Sequence, residues 1–163
     1  MSSSDRRLFL LTGLAALAGC GFSPAYGPGA GGAALRGRVE VQAPDTRAGY
    51  LLTRDLEVRM GRTGSGRYLL GYEIALSSEA IAIDQRNVAG RFNILGAVRY
   101  TLTDRQTGET VTNGTVESFT AYSARGTPVA TRAARRDAET RLMTILADQI
   151  VTRLLAAMPD PSQ

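Results

Sequence analysis

The chain lacks the residue types on which most catalytic and metal sites depend. Among its 163 residues there is no histidine and no tryptophan, and there is one cysteine. Without histidine, a Ser-His-Asp or Cys-His arrangement cannot be assembled, and one cysteine supplies neither an internal disulfide nor a zinc-binding set. Paired carboxylates of the glycosidase type remain open, yet no spacing singles out two of the acidic residues. We therefore predict a protein that is not an enzyme and that needs no metal and no cofactor.

Lysine is missing as well, because all 19 basic residues are arginine. The formal net charge of +4 is too small to predict nucleic-acid binding. Arg132, Arg135 and Arg136 stand near one another, and we interpret them as a solvated face of a helix.

The N-terminus has the pattern of a secretory signal. Arg6 and Arg7 are followed by an uncharged apolar run from Leu8 to Gly19. This run is shorter than the roughly 20 residues that span a bilayer as a helix, so it does not predict a transmembrane anchor. The arginine pair also partly resembles a twin-arginine export signal, although a plain positive start is the simpler interpretation.

Leu17-Ala18-Gly19-Cys20 resembles the lipobox of bacterial lipoproteins. The resemblance implies cleavage between Gly19 and Cys20 and a diacylglycerol on the Cys20 sulfur, often with an acylated amino terminus. An ordinary signal peptide with a cysteine near its cleavage site is the alternative. Gly21 stands where an aspartate would signal inner-membrane retention, so the resemblance favours the outer membrane.

Cleavage there divides the chain into four parts. Residues 1–19 form the lipoprotein signal peptide, Cys20 and a Gly- and Pro-rich flexible tether occupy 20–33, one folded domain spans 34–158, and 159–163 form a C-terminal tail. The chain that remains has 17 basic and 14 acidic residues, a formal charge of +3.

Hydrophobic periodicity predicts six elements in the folded part. They are a strand over 35–41, a helix over 50–60, strands over 68–83, 91–103 and 109–123, and a helix over 129–158. Short turns between consecutive strands favour an antiparallel meander. We predict an α+β fold, a two-layer sandwich in which a mainly antiparallel or mixed sheet of about four strands has two helices packed on one face.

Several local signals mark the ends and irregularities of these elements. Asp45 or Thr46 can cap the first helix, which ends at Gly61, and Thr127 can cap the second with Pro128 at its first position. A change of alternation predicts a bulge or break near Ser77-Ser78.

A glycine also interrupts the last predicted strand. Asn113-Gly114 suits either a tight turn or a glycine bulge. In the preceding connection, 104–108 is predicted to be a hairpin loop.

The combination resembles the lipopolysaccharide (LPS)-assembly lipoprotein family LptE in its alphaproteobacterial form. The resemblance lies in Leu17-Ala18-Gly19-Cys20-Gly21-Phe22 followed by Pro24 and Tyr26, in 100–108 (YTLTDRQTG), in 136–154 (RDAETRLMTILADQIVTRL), and in the order of elements. It implies a lipid-anchored protein on the periplasmic side of the outer membrane. Its partner would be the β-barrel LptD in a one-to-one heterodimer, which it plugs and helps to assemble, and it would assist LPS insertion at the outer leaflet.

Two arginines are candidates for contact with LPS phosphates. Arg62 and Arg67 flank the turn Gly64-Ser65-Gly66, and a guanidinium can bind phosphate through two hydrogen bonds. Two solvated arginines beside a turn are the plainer interpretation. For the whole chain, the alternative function is a free-standing periplasmic lipoprotein that serves a lipid-trafficking transporter or regulates a cell-wall synthase.

Overall fold

A computed structural model describes residues 35–83 and 89–158. Its elements are β1 (Val39–Val41), α1 (Arg47–Met60), β2 (Tyr68–Ile83), β3 (Ala89–Asp104), β4 (Thr110–Ser123) and α2 (Pro128–Ala157). Gly19, Cys20, the predicted tether and the predicted tail lie outside the described residues.

The four strands form one mixed sheet in the order β1-β2-β3-β4. β1 runs parallel to β2, whereas the β2–β3 and β3–β4 pairs are antiparallel. The chain crosses from β1 to β2 through α1, which is the connection that a parallel pair requires. The prediction of an α+β sandwich with a mixed sheet and two helices is confirmed.

The core lies between the sheet and the two helices. Even-numbered residues of β3 point into it, and Val98 and Leu102 are fully buried. α2 supplies Leu142 and Leu146 to the same core. Burying a side chain of this size contributes about 1.5–3 kcal/mol, so the apolar stripe of α2 is a major stabilising contact.

Hydrogen bonds fix α1 in the helix layer. The Thr144 hydroxyl of α2 donates to Asp55 Oδ2 at 2.6 Å, and Arg54 pairs with the other oxygen of this carboxylate at 2.8 Å. On the sheet side, the Tyr72 hydroxyl donates to the Gly49 carbonyl at 3.2 Å and lies 2.8 Å from the Thr53 hydroxyl. The polar atoms that α1 buries are therefore satisfied by both neighbours.

The helix ends follow the predicted capping. Thr46 Oγ1 accepts from the Gly49 amide at 3.0 Å, and α1 ends at Gly61, whose φ of 83° suits glycine. Thr127 Oγ1 accepts from the Ala130 amide at 3.2 Å. Pro128 occupies the first turn, where no amide hydrogen is needed. The first helix begins at Arg47, three residues earlier than predicted, because its cap is Thr46.

The first predicted strand is shorter than expected. Residues 35–38 form a turn, and only Val39–Val41 pair with β2. The Gly37 amide, at a φ of 70°, donates to the Met60 carbonyl at 2.8 Å. Leu35 is 1% exposed, so its apolar character reflects burial beside the end of α1 and not strand alternation.

The predicted break at Ser77-Ser78 is wrong. Ser77 pairs with Leu95 and Ser78 with Ile94 in an unbroken register. The irregularities come later, around Ala82. The change of alternation in the sequence arises from that later shift.

Asn113 and Gly114 form neither a turn nor a bulge. They lie within the ladder opposite Thr101 and Tyr100, and the irregularity of this pair falls at Thr103 instead. A Cβ on Gly114 would lie 2.9 Å from the Tyr100 hydroxyl oxygen. Glycine is needed there because the buried Tyr100 ring packs across the strand.

In the loop before β2, Gly66 lies close to the backbone of β1 and the residue before it, whereas Gly64 does not. A Cβ on Gly66 would lie 2.5 Å from the Arg38 carbonyl oxygen and 2.7 Å from the Glu40 amide nitrogen. Both atoms belong to the backbone and cannot move aside cheaply. A Cβ on Gly64 would have no heavy atom within 4 Å.

Gly66→Ala is expected to destabilise the fold by about 3 kcal/mol, because it forces β1 away from the loop. Gly64→Ala is the matched control and should change the free energy of unfolding by less than about 0.5 kcal/mol. Urea unfolding of both variants measures the difference. Equal stabilities would contradict the close backbone contact at Gly66.

Candidate functional site

Among the described residues, no helix covers one of the two faces of the sheet. The centre of this face contains a shallow depression of about 480 Å³. Ala75, Ser77, Leu95, Ala97 and Phe119 contribute to its lining. The Phe119 side chain is 62% exposed.

The surroundings of this depression are polar. Thr101 and Thr103 of β3 and Thr115 of β4 occupy the same odd-numbered face. An exposed apolar centre within a polar rim is typical of a surface that contacts a partner. We call the odd-numbered side of β2, β3 and β4 the open face.

Five exposed arginines occupy one end of the molecule, which we call the arginine end: Arg91, Arg125, Arg132, Arg135 and Arg136. They come from the start of β3, the β4–α2 connection and the first turns of α2. Among residues 35–83 and 89–158, none of the five forms a salt bridge with a carboxylate.

The arginine end has a concave surface as well as charge. Arg91 and Arg125 border a depression of about 460 Å³ that also includes Tyr122. Cations without a carboxylate partner at a concave surface can bind phosphate groups.

Sequence reasoning missed this cluster. The interpretation of Arg132, Arg135 and Arg136 as a solvated face agrees with their exposure, but Arg91 and Arg125 lie far from them in sequence. The pairing of Arg91 with Ser123 brings the start of β3 next to the loop that leads into α2. The i, i+3, i+4 spacing of Arg132, Arg135 and Arg136 predicts that they share a helix face. The strand register was needed to place Arg91 and Arg125 beside them.

Arg62 and Arg67, the arginines predicted to contact phosphate, lie at the opposite end of the sheet. Arg62 is 84% exposed, and its Nε is 3.5 Å from the Glu57 carboxylate. Arg67 donates from Nε to Asp104 Oδ2 at 2.9 Å, and its guanidinium lies 5.3 Å from the centre of the Tyr68 ring. Their role as phosphate contacts stays a prediction.

Asp104 accepts hydrogen bonds from two directions. Besides the Arg67 side chain, the Gln106 amide donates to its Oδ1 at 2.8 Å. The hydrogen bond from Arg67, followed by that from the Gln106 amide, holds the pKa of the Asp104 carboxyl below its usual value. The same pair raises the pKa of Arg67. This contact ties the start of β2 to the β3–β4 turn.

The described residues offer neither a metal site nor a membrane-spanning helix. Within the described parts of the chain, no three His, Cys, Asp or Glu residues are grouped so that they could hold a metal ion. Among those same residues, neither helix combines the length and the apolar character needed to cross a bilayer.

Comparison with known proteins identifies one family. The sequence model of LptE, described as lipopolysaccharide-assembly, matches residues 37–154. A search of curated proteins finds no match.

Solved structures show the same fold. A protein of Caulobacter crescentus CB15 described as a lipoprotein is 27% identical, with a TM-score of 0.63 over 77% of this chain and 93% of that chain. The rare lipoprotein B of Shewanella oneidensis is 10% identical, with a TM-score of 0.56 over 72% of this chain and 92% of that one. A minor lipoprotein of Acinetobacter baumannii is 16% identical, with a TM-score of 0.54 over 72% and 88%.

Asp104→Asn is expected to flatten the acid dependence of stability. Because the folded pKa of Asp104 is lowered, its contribution is complete well above the ordinary aspartate pKa of about 3.9 and is lost as the pH falls toward the folded pKa. Free energies of unfolding measured from pH 7 to pH 3 should fall more steeply for the natural chain than for the variant. Arg67→Gln should flatten the profile in the same way, and unchanged slopes in both variants would contradict the pairing.

Proposed function

This chain belongs to the LptE family of lipopolysaccharide-assembly proteins, and on that premise we propose that it is the lipid-anchored partner of the outer-membrane barrel LptD. In this role it is not an enzyme. It fills the lumen of the barrel in a one-to-one complex, helps the barrel to assemble, and assists LPS insertion at the outer leaflet.

The open face is the observation that supports this proposal most directly. A wide outer-membrane barrel has a polar lumen that needs filling, and its inner wall presents alternate side chains of each strand. A sheet face with threonines around the exposed Phe119 and Leu95 can lie against such a wall. The helices on the other side form the hydrophobic core with the sheet, so the open face is not needed for the core.

The N-terminus supports the membrane location. Two or three acyl chains at Cys20 would hold the protein stably at the membrane, because one chain alone binds reversibly. The tether over 21–33 would let the domain reach a barrel beside its anchor.

The arginine end is the stronger candidate for contact with LPS phosphates. Arg62 and Arg67 each have a carboxylate nearby, which competes with phosphate for the guanidinium. The arginine end has no such pairs among the described residues, and the N-terminus of α2 adds positive potential.

A pulldown of the tagged full-length chain from outer membranes in mild detergent is expected to recover one large β-barrel in near one-to-one amount. Phe119→Glu should sharply reduce that recovery, because it places a charge at the centre of the open face. Val58→Glu is the matched control and should leave recovery unchanged, since Val58 is 75% exposed on α1, in the helix layer. Mass spectrometry identifies and quantifies the partner.

The same pulldown separates the alternatives. An inner-membrane transporter, or no barrel at all, would support a free-standing periplasmic lipoprotein and contradict the barrel partnership.

Loss of the Cys20→Ala chain from the membrane fraction is expected if Cys20 is the anchor.

Replacing Arg132, Arg135 and Arg136 together with glutamine is expected to weaken binding to purified LPS about tenfold or more, which corresponds to about 1.4 kcal/mol. Glutamine keeps a helix propensity close to that of arginine, so α2 should be preserved. The Arg62→Gln variant is the matched control at the opposite end. A loss with Arg62→Gln and none with the triple variant would place phosphate contact at Arg62 instead.

A further inference from the structure

Within residues 35–83 and 89–158, one edge of the sheet is long and has no neighbouring strand beyond β1. β1 pairs only with Tyr68, Leu69 and Leu70 of β2. The Tyr68 amide donates to the Arg38 carbonyl, and the Leu70 carbonyl accepts from the Gln42 amide, both at 2.9 Å. Even-numbered residues of β2 therefore direct their backbone groups outward, away from β3.

Beyond β1, the outward backbone groups of β2 have no partner in the described part of the chain. Within the described residues, the outward N–H and C=O groups of Tyr72, Ile74, Leu76, Ser78 and Ala80 make no hydrogen bond. We call this stretch the β2 edge. Leu76 is 41% exposed and Ile81 is 49% exposed, so it also presents apolar side chains to solvent.

The opposite edge of the sheet is protected. Arg153 of α2 donates to the Thr115 carbonyl of β4 at 2.6 Å, and Arg141 donates to the Ala121 carbonyl at 3.3 Å. These two side chains occupy two outward carbonyl groups of β4, one in the middle of the strand and one near its end. Between Tyr72 and Ile81 the β2 edge has no lysine, arginine or proline, and its two charged residues are Glu73 and Glu79.

We propose that the β2 edge is the contact surface for a second copy of this chain, whose own β2 pairs with it antiparallel. Each copy has one β2 edge. When the two β2 edges pair with each other, neither is left for a third copy, so the assembly stops at a dimer. The paired β2 strands join the two sheets into one. Because the contact is a single strand pair, the dimer is reversible and belongs to the interfaces under about 1,200 Å².

Charge and the position of β1 together restrict the register of this pairing. A pair centred on Ala75 would place Ala80 of one copy opposite Leu70 of the other, where β1 is already paired. With Ser77 on the twofold axis, Leu76 lies opposite Ser78 and Ile74 opposite Ala80, which allows about eight backbone hydrogen bonds. The exposed Glu79 then faces Ala75 of the other copy, where no charge opposes it.

A shift that centres the pair on Leu76 is unfavourable. It places Glu73 of each copy directly opposite Glu79 of the other, and like charges in that position destabilise a strand pair. The Ser77-centred register avoids this repulsion.

Cysteine cross-linking of the purified full-length chain in detergent tests the proposal without any barrel present. Two Ser77→Cys side chains would form a non-hydrogen-bonded pair with Cα atoms about 4.5 Å apart, within the range of a disulfide. Mild oxidation should give a band of twice the monomer mass on a non-reducing gel. Ala75→Cys, on the same strand and face, should not cross-link with itself, whereas a mixture of Ala75→Cys and Glu79→Cys chains should.

This pattern of cross-links identifies the register of the strand pair. Because Cys20 is present in all the variants, it does not account for a difference between them. No dimer band with Ser77→Cys, or an equal band with Ala75→Cys alone, would overturn the proposal.

Charge substitution gives a second measurement on the same chain. Ser77→Lys places two positive charges together on the axis and should lower the dimer fraction in sedimentation at least tenfold. Ala75→Lys faces Glu79 and should leave that fraction equal or higher. Equal effects of the two lysines, or a chain that is monomeric at every concentration, would overturn the dimer. The cross-linking and sedimentation results do not bear on the barrel partnership, which the pulldown tests separately.

Discussion

Helix α2 decides which surfaces of this protein are left for partners. Its buried stripe, with Leu142, Leu146 and Ile150, covers one face of the sheet and also forms the contact with α1. The hydrogen bond from Thr144 to Asp55 fixes α1 on the same side. Since the chain has no third helix among its described residues, the other face of the sheet is exposed there. A sheet packed on one side only is stable, but its second face must be polar or must find a partner.

Arginine serves three different purposes on this scaffold. Arg67 neutralises the nearly buried Asp104 and ties β2 to the β3–β4 turn. Arg141 and Arg153 reach from α2 to carbonyl groups of β4, so they protect an edge. The arginine end has neither carboxylates nor carbonyls of the described residues as partners for its charge, and it is the part of the surface best suited to an external anion. A guanidinium suits all three settings because it has five donors in one plane.

Much of the fold could be predicted because local signals agreed with the final packing. Thr46 and Thr127 cap the helices as their positions indicated, and β2 has the predicted bounds. The errors arose where a distant residue decides the local structure. Gly114 is explained by the Tyr100 ring on the neighbouring strand, and residues 35–38 turn because Gly37 bonds to the end of α1. For the same reason, the spacing of arginines along the sequence does not reveal the arginine end. The pairing of β3 with β4 brings Arg91 close to Arg125 and the start of α2.

The open face and the β2 edge meet at the same residues. Ala75 and Ser77 line the depression and also lie on β2, whose outward backbone groups beyond β1 make no hydrogen bond with the described residues. A partner seated over Leu95 and Phe119 therefore reaches the edge strand, because Ser77 pairs directly with Leu95. A barrel wall that covered the open face would press against the side chains beside the dimer axis. We expect the two contacts to compete, so the dimer would be a state of the chain before it meets a barrel. Strand pairing is suited to such a state, because it satisfies the exposed backbone reversibly and buries little apolar surface.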